Sequence, residues 1–319
     1  MRKALVVGID DYPTAPLKGC VNDAKAVAEL LHFHENGDLN MEIMLVTSED
    51  RSVTKSVLLN MITQLFGDPV DMAFLYFSGH GTVNQTGGYL VTSDAAKYDE
   101  GILMSQVLQI ANNGAARDRA IVLDCCNSGG MGSIAPGDDQ PAMLADGLTI
   151  MTSSREAEPS LEEGGHGVFT KLLIDAMNGG AADLLGNVTP GATYAYVDSA
   201  LGFWGQRPIF KTNISRFSSW RNVVPRVPVE TLRKIANYFE SPSSQFQLDK
   251  RFEETESVAE PDKVAIFKDL QKYVSLGLVT PVDEEHMYWA AMHEKSCELT
   301  AVGQQYWRLA KDNKLGKSA

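Results

Sequence analysis

The chain of 319 residues is 44% apolar, 22% charged and 8% aromatic, with 28 basic against 41 acidic residues and a net charge of −13. This composition fits a globular protein of about two domains, and it excludes disordered, collagen-like and coiled-coil chains. A phosphate backbone would meet repulsion, so nucleic acid is not expected as a partner.

In chain order, Ala4 to Ile9 (ALVVGI) reads as a buried strand, followed by a loop and an amphipathic helix from Asn22 to Phe33. The unit recurs as Glu42 to Val46 (strand), Val53 to Phe66 (helix), Ala73 to Phe77 (strand), Ile102 to Ala111 (helix), Ala120 to Leu123 and Leu148 to Thr152 (strands), and Phe169 to Met177 (helix). Strands apolar on both faces, alternating with helices, predict an α/β fold with a mostly parallel sheet covered on both sides. Ligands of such sheets bind beyond the carboxyl ends of the strands. The stretch 127–147, rich in Gly, Pro and Asp, reads as a long loop.

Beyond Pro225 and Pro228 the pattern changes to a helix (Val229 to Phe239), a second helix (Lys263 to Leu276), two short apolar runs read as a hairpin (Leu278 to Val282 and Met287 to Met292) and a last helix from Leu299 to about Leu309. The expected division is therefore 1–221 and 222–319. The acidity divides with it: residues 222–319 hold 13 basic and 15 acidic side chains, leaving 15 and 26 in residues 1–221. Cys20, Cys125, Cys126 and Cys297 are too few for a disulfide scaffold. The opening apolar run is too short for a signal peptide, and no window reaches the ~18 apolar residues of a membrane span. A soluble cytoplasmic protein with no membrane partner is expected.

Two strand ends carry reactive side chains. Ala73 to Phe77 runs into Ser78-Gly79-His80-Gly81, and Ala120 to Leu123 runs into Asp124-Cys125-Cys126-Asn127. Alternation along extended chain places Ser78 with His80 and Asp124 with Cys126, while Cys125 turns into the packing. A His beside a Cys at neighbouring strand ends suffices for a cysteine nucleophile, the imidazole supplying the proton for the leaving amine. The Gly81 and Cys126 amides are candidate oxyanion donors. His166, in GGHGVF, is a rival base but precedes a helix, which favours a loop or helix-start role.

The 46-residue separation of His80 from Cys126 is close to the ~50 residues of caspases, with His upstream. The segments ALVVGIDDY, LKGCVNDA, FLYFSGHG, VLDCCNSGG and TSSREAEPSLEEGGHGVFT resemble, in order, the caspase clan of cysteine peptidases, closest to metacaspases and orthocaspases, over about the first 215 residues. The resemblance implies a caspase-like three-layer α/β/α sandwich, a catalytic His80 and nucleophilic Cys126, and a substrate pocket at Asp23, Ser78 and Asp124 with Cys20 nearby. The Gln-Ala-Cys-Xaa-Gly signature of animal caspases is absent. Two recessed carboxylates favour Arg or Lys and repel an acidic side chain, so cleavage of protein substrates after Arg or Lys is expected. Residues 127–154 contain no Lys or Arg, which predicts activation as an intact chain.

The chemistry needs no cofactor. Calcium activation, common in metacaspases, would fall to Asp94, Asp99 and Glu100, and the metal site is otherwise open. Leu276 to Val279 and Leu299 to Gly303 resemble the ends of a small α+β winged-helix domain. Its wing, Asp283-Glu284-Glu285, is acidic, which favours a regulatory protein or ligand over DNA. With no domain before the first strand, the chain reads as prokaryotic, and the resemblance implies a role in stress, cell death or anti-phage defence. The alternatives are a catalytically silent caspase-like scaffold that acts by binding and, behind it, a DNA-binding regulator.

Overall fold

The computed structural model describes residues 1–125, 143–153, 162–163, 166–202 and 207–316, and the chain divides into two compact units, Met1–Val224 and Pro225–Ala319. The first unit begins β1 (Arg2–Gly8), α1 (Cys20–His32), β2 (Glu42–Thr47), α2 (Lys55–Gly67) and β3 (Met72–Ser78). It continues with β4 (Gly81–Asn84), β5 (Gly87–Ala96), β6 (Asp99–Leu103), α3 (Met104–Asn112), β7 (Asp118–Asp124) and β8 (Leu148–Thr152). The short pair β9 (Glu162–Glu163) and β10 (His166–Gly167) leads into α4 (Val168–Asp175), β11 (Asn187–Val188), α5 (Pro190–Leu201), β12 (Ile209–Asn213) and β13 (Arg221–Asn222).

Six strands form the central sheet in the order β12-β8-β7-β3-β1-β2, parallel except for the edge strand β12, which runs antiparallel to β8. Side-chain alternation divides the core. Leu5, Val7, Leu75, Phe77 and Leu123 pack towards α2 and α3, whereas Val6, Phe74, Tyr76 and Val122 pack towards α1, α4 and α5. The result is the three-layer α/β/α sandwich. Helix α1 lies directly on β1. A Cβ added at Gly8 would stand 2.7 Å from the Ala24 Cβ and collide with the Cys20 carbonyl, so only glycine allows this approach.

Two features differ from the predicted elements. Residues 81–103 form a separate three-stranded antiparallel sheet, β4-β5-β6, and α3 begins at Met104, two residues later than expected. Gly81, Gly87, Gly88 and Gly101 break the apolar pattern there, so no strand signal stands out.

The second unit holds α6 (Val229–Arg233), α7 (Ile235–Tyr238), β14 (Gln245–Gln247), α8 (Pro261–Ser275), β15 (Val279–Pro281), α9 (Met287–Met292), β16 (Ser296–Leu299) and α10 (Ala301–Lys311). Its antiparallel sheet has the order β14-β16-β15. The run Met287–Met292, expected as a strand, is a helix that buries Met287, Ala290 and Ala291 at i, i+3 and i+4. The strand pairing with β15 is Ser296–Leu299. Among the described residues no helix is long and apolar enough to cross a membrane.

Candidate active site

Parallel register brings the ends of β3 and β7 together, with Ser78 opposite Asp124 and the Gly79 N–H 3.4 Å from the Asp124 carbonyl. Ser78 and Asp124 are buried at this edge. Cys125 is buried with the α2–α3 core, as alternation predicts. Cys126 lies outside the described residues.

His80 does not continue the alternation of β3. The strand ends at Ser78 and the chain turns at Gly79, so the His80 ring stands 4.6 Å from the Tyr12 ring, on the α2–α3 side. The Tyr12 hydroxyl accepts from the His80 N–H at 2.9 Å and lies 3.3 Å from the Val91 carbonyl. Burial holds the Tyr12 phenol well above its ordinary pKa, so it stays a neutral hydroxyl. His80 Nε2 is 2.7 Å from the Ala15 carbonyl oxygen. A carbonyl only accepts, so Nε2 carries the hydrogen, and in the neutral ring Nδ1 keeps the lone pair. The Ala15 contact thereby leaves Nδ1 as the acceptor nitrogen of the ring. Gly81 opens β4, paired with Leu90.

The expected pocket residues converge on the opposite face. Asp10, just after β1, accepts from the Cys20 and Val21 N–H groups at 2.9 and 3.3 Å and so caps α1. Asp23, in the first turn of α1, is thus free to point at the sheet end. The backbone N–H of Gly167 donates to Asp23 Oδ2 at 3.0 Å, and His166 Nδ1 lies 2.7 Å from Oδ1. Thr170 Oγ1 donates to Asp124 Oδ2 at 2.6 Å. With its hydrogen committed, Thr170 accepts from the Tyr76 hydroxyl at 2.5 Å. Ser153, just after β8, donates from Oγ to the Cys125 carbonyl at 3.4 Å, and its hydroxyl helps to hold the Asp124 carboxyl down. Gly167 sits between the carboxylates: a Cβ there would stand 2.5 Å from Asp124 Oδ2 and 3.2 Å from Asp23 Oδ2.

Burial sets the electrostatics. It pushes the Asp124 carboxyl up to about 6, despite the opposing bond from Thr170. Asp23 is also raised by burial, and the bonds from Gly167 and His166 hold it down. Cys20 is raised well above an ordinary thiol by desolvation, so it stays a neutral thiol. Two neighbouring buried carboxylates are costly to ionise without a cation beside them.

The proposed calcium ligands face other groups. Asp94 accepts from Thr92 Oγ1 and the Lys55 N–H, Asp99 pairs with Lys55 Nζ at 2.6 Å, and Glu100 borders the cavity beside His80. Among the described residues no three His, Cys, Asp or Glu side chains converge on one point.

His166, Gly167, Thr170 and Ser153 join the site without having been singled out as pocket residues. Ser153 follows β8, the neighbour of β7, so the strand-end rule points to it. The others belong to β10 and α4, whose approach to α1 leaves no local signal.

Residues 1–207 match the family model of the Caspase domain. Metacaspase-3 of Trypanosoma cruzi (strain CL Brener) is 29% identical over 153 residues, covering 40% of this chain and 40% of that protein. Metacaspase-1 of Sclerotinia sclerotiorum is 34% identical over 88 residues, 25% of this chain and 20% of that protein. The matched region thus spans less than half the length of these relatives. Among solved structures, a protein of Geobacter sulfurreducens aligns with TM-score 0.52 and 14% identity over 70% of this chain and 99% of its own. Caspase-1 of Spodoptera frugiperda aligns with TM-score 0.51 and 11% identity over 70% of this chain and 91% of its own. At these identities the likeness to solved structures is one of fold.

Proposed function

Because the chain belongs to the caspase-domain family, we propose that it is a cysteine endopeptidase that cuts protein substrates after Arg or Lys. The observation that carries the specificity is the buried pair Asp23 and Asp124, bridged by Gly167, at the end of the sheet beside Ser78 and Cys20. In this reading the Cys126 thiolate attacks the carbonyl carbon and the oxyanion takes hydrogen bonds from the Gly81 and Cys126 amides. The C–N bond then breaks as His80 Nδ1, which took the Cys126 thiol proton when the thiolate formed, delivers that proton to the leaving amine. Water, deprotonated by His80, attacks the thioester, and the carboxylic acid leaves as the thiolate reforms. His80, held through Nε2 by Ala15 and against Tyr12, needs no carboxylate partner to keep its tautomer.

The test uses intact protein with Arg-, Lys- and Asp-ended peptide amides of a fluorescent dye, with and without calcium. Arg and Lys amides are expected to be cleaved, Cys126→Ala and His80→Ala to lower kcat/KM by about 10³-fold or more, and active enzyme to show no cut within residues 127–154. Preference for Asp, or cleavage undiminished in Cys126→Ala, would overturn the reading.

We assign regulation to the second unit, as a winged-helix-like module that takes a protein or ligand signal, in a stress, cell-death or anti-phage setting. Its near-neutral charge and acidic Asp283-Glu284-Glu285 segment support a non-nucleic-acid partner. Truncation after Val224, at the boundary between the compact units, is expected to change basal activity or its response to cell extract at least several-fold. Unchanged activity and unchanged response would remove that assignment.

A further inference from the structure

A cavity of about 510 Å³ opens on the side of His80 away from the paired carboxylates, lined by Tyr12–Ala15, His80–Thr82, Val91, Ala95–Lys97 and Glu100. Its volume is that of a ligand site and exceeds a single side chain. None of Cys20, Asp23, Ser78 or Asp124 borders it. The carboxylates lie among groups of α1, β10 and α4, whereas the cavity is built from the β1–α1 loop and the β4-β5-β6 sheet, whose Leu90 and Ile102 belong to the α2–α3 core. The edge of the central sheet at Ser78–Gly79 separates the two sites, and His80 is a wall of the cavity.

We propose that this cavity receives the substrate residues on the leaving side of the cut and selects apolar side chains there. The proposal rests on the peptidase reading of the preceding section. On that reading the substrate's basic side chain lies against Asp23 and Asp124, at the end of the sheet where β3 turns at Gly79 towards His80. The leaving nitrogen must take its proton from His80, whose Nε2 is occupied by Ala15, so the chain beyond that nitrogen runs along the imidazole and into the cavity it borders.

The lining sets the chemistry. Tyr12, Pro13, Ala15, Val91, Ala95 and Ala96 offer carbon surface. Among the described lining residues the charged ones are Lys97 and Glu100, of opposite sign, and the Lys97 ammonium is turned over the Tyr98 ring at 5.0 Å. An acidic side chain entering here would lose hydration beside the Glu100 carboxylate, while an apolar one gains by leaving water.

Internally quenched peptides with one common acyl-side sequence ending in Arg test this, with the next two residues Phe-Leu, Gly-Gly or Asp-Asp. The dye amide of the same acyl sequence serves as a reference that carries nothing into the cavity. The Phe-Leu peptide is expected to show kcat/KM about tenfold or more above the Gly-Gly peptide, with Asp-Asp lowest. Ala96→Glu, a change at an exposed position, is expected to shrink the Phe-Leu to Gly-Gly ratio towards one. Cleavage of the dye amide with no dependence on the following residues would overturn this proposal alone, as would a ratio that Ala96→Glu leaves unchanged. An uncleaved dye amide would overturn the peptidase reading and this proposal with it.

Discussion

Asp124→Asn is expected to make the protein more stable and nearly inactive on Arg substrates. The Asp124 carboxyl is raised to about 6 in the folded chain, chiefly by burial. The sign follows from proton linkage. A raised acid is favourable to the fold while protonated, below its ordinary value near 4, and that contribution is lost as pH rises through about 6. At pH 8 the folded chain therefore carries a buried ionised group at a cost, which a neutral amide removes. A gain of about 1–2 kcal/mol in unfolding free energy is expected at pH 8, shrinking towards pH 4. Denaturant unfolding at both pH values measures it.

In the proposed function the same carboxylate supplies the charge that a bound guanidinium needs. Its removal should lower kcat/KM on an Arg amide by about 30- to 1,000-fold, mostly through KM, the scale of breaking a buried charge pair. Inhibition by agmatine, an isolated arginine side chain, separates this from any titration of the catalytic groups. Its affinity should fall as pH drops below about 6 in the wild-type protein, and the Asp124→Asn variant should lack that limb. A variant that binds agmatine as tightly as wild type would show that the cation goes elsewhere.

The parts of this site that were legible in sequence are those a buried strand delivers. Ser78 and Asp124 each follow an apolar run of β3 or β7, and strands buried on both faces announce their ends when a polar residue appears. Alternation also placed Cys125 in the core. It failed at His80, because the strand stops at Ser78 and the turn at Gly79 sends the ring to Tyr12. The Ala15 carbonyl that fixes the tautomer is a backbone group and has no side-chain signature. His166 meets Asp23 across 143 residues of chain, so only the packing of α4 against α1 reveals that a residue read as a loop or helix-start element, and standing just before α4, also contacts Asp23. The β4-β5-β6 sheet was hidden for a different reason, its glycines diluting every apolar run.

Gly167→Ala should damage this pocket more than loss of any single hydrogen bond in it. The glycine lies in an ordinary region of backbone space, with φ −66°, so the issue is contact and not conformation. A methyl 2.5 Å from Asp124 Oδ2 and 3.2 Å from Asp23 Oδ2 meets groups that cannot swing aside, since Thr170 holds Asp124 and the Gly167 and His166 contacts hold Asp23. The backbone of β10 must retreat instead. Retreat breaks the Gly167 N–H bond to Asp23 and lengthens the His166 contact together, the two bonds that oppose burial in setting the Asp23 pKa. Asp23 then rises further and binds a proton in place of a substrate cation. A loss of about 100-fold in kcat/KM on an Arg amide is expected, with the overpacking strain costing about 1–3 kcal/mol of stability. His166→Ala, which removes one of the two bonds, should cost about tenfold and move the acid limb of agmatine binding upward. His166→Asn, which restores a donor, should recover part of both. Wild-type kinetics in Gly167→Ala would mean that Asp23 and Asp124 do not receive the substrate's basic side chain.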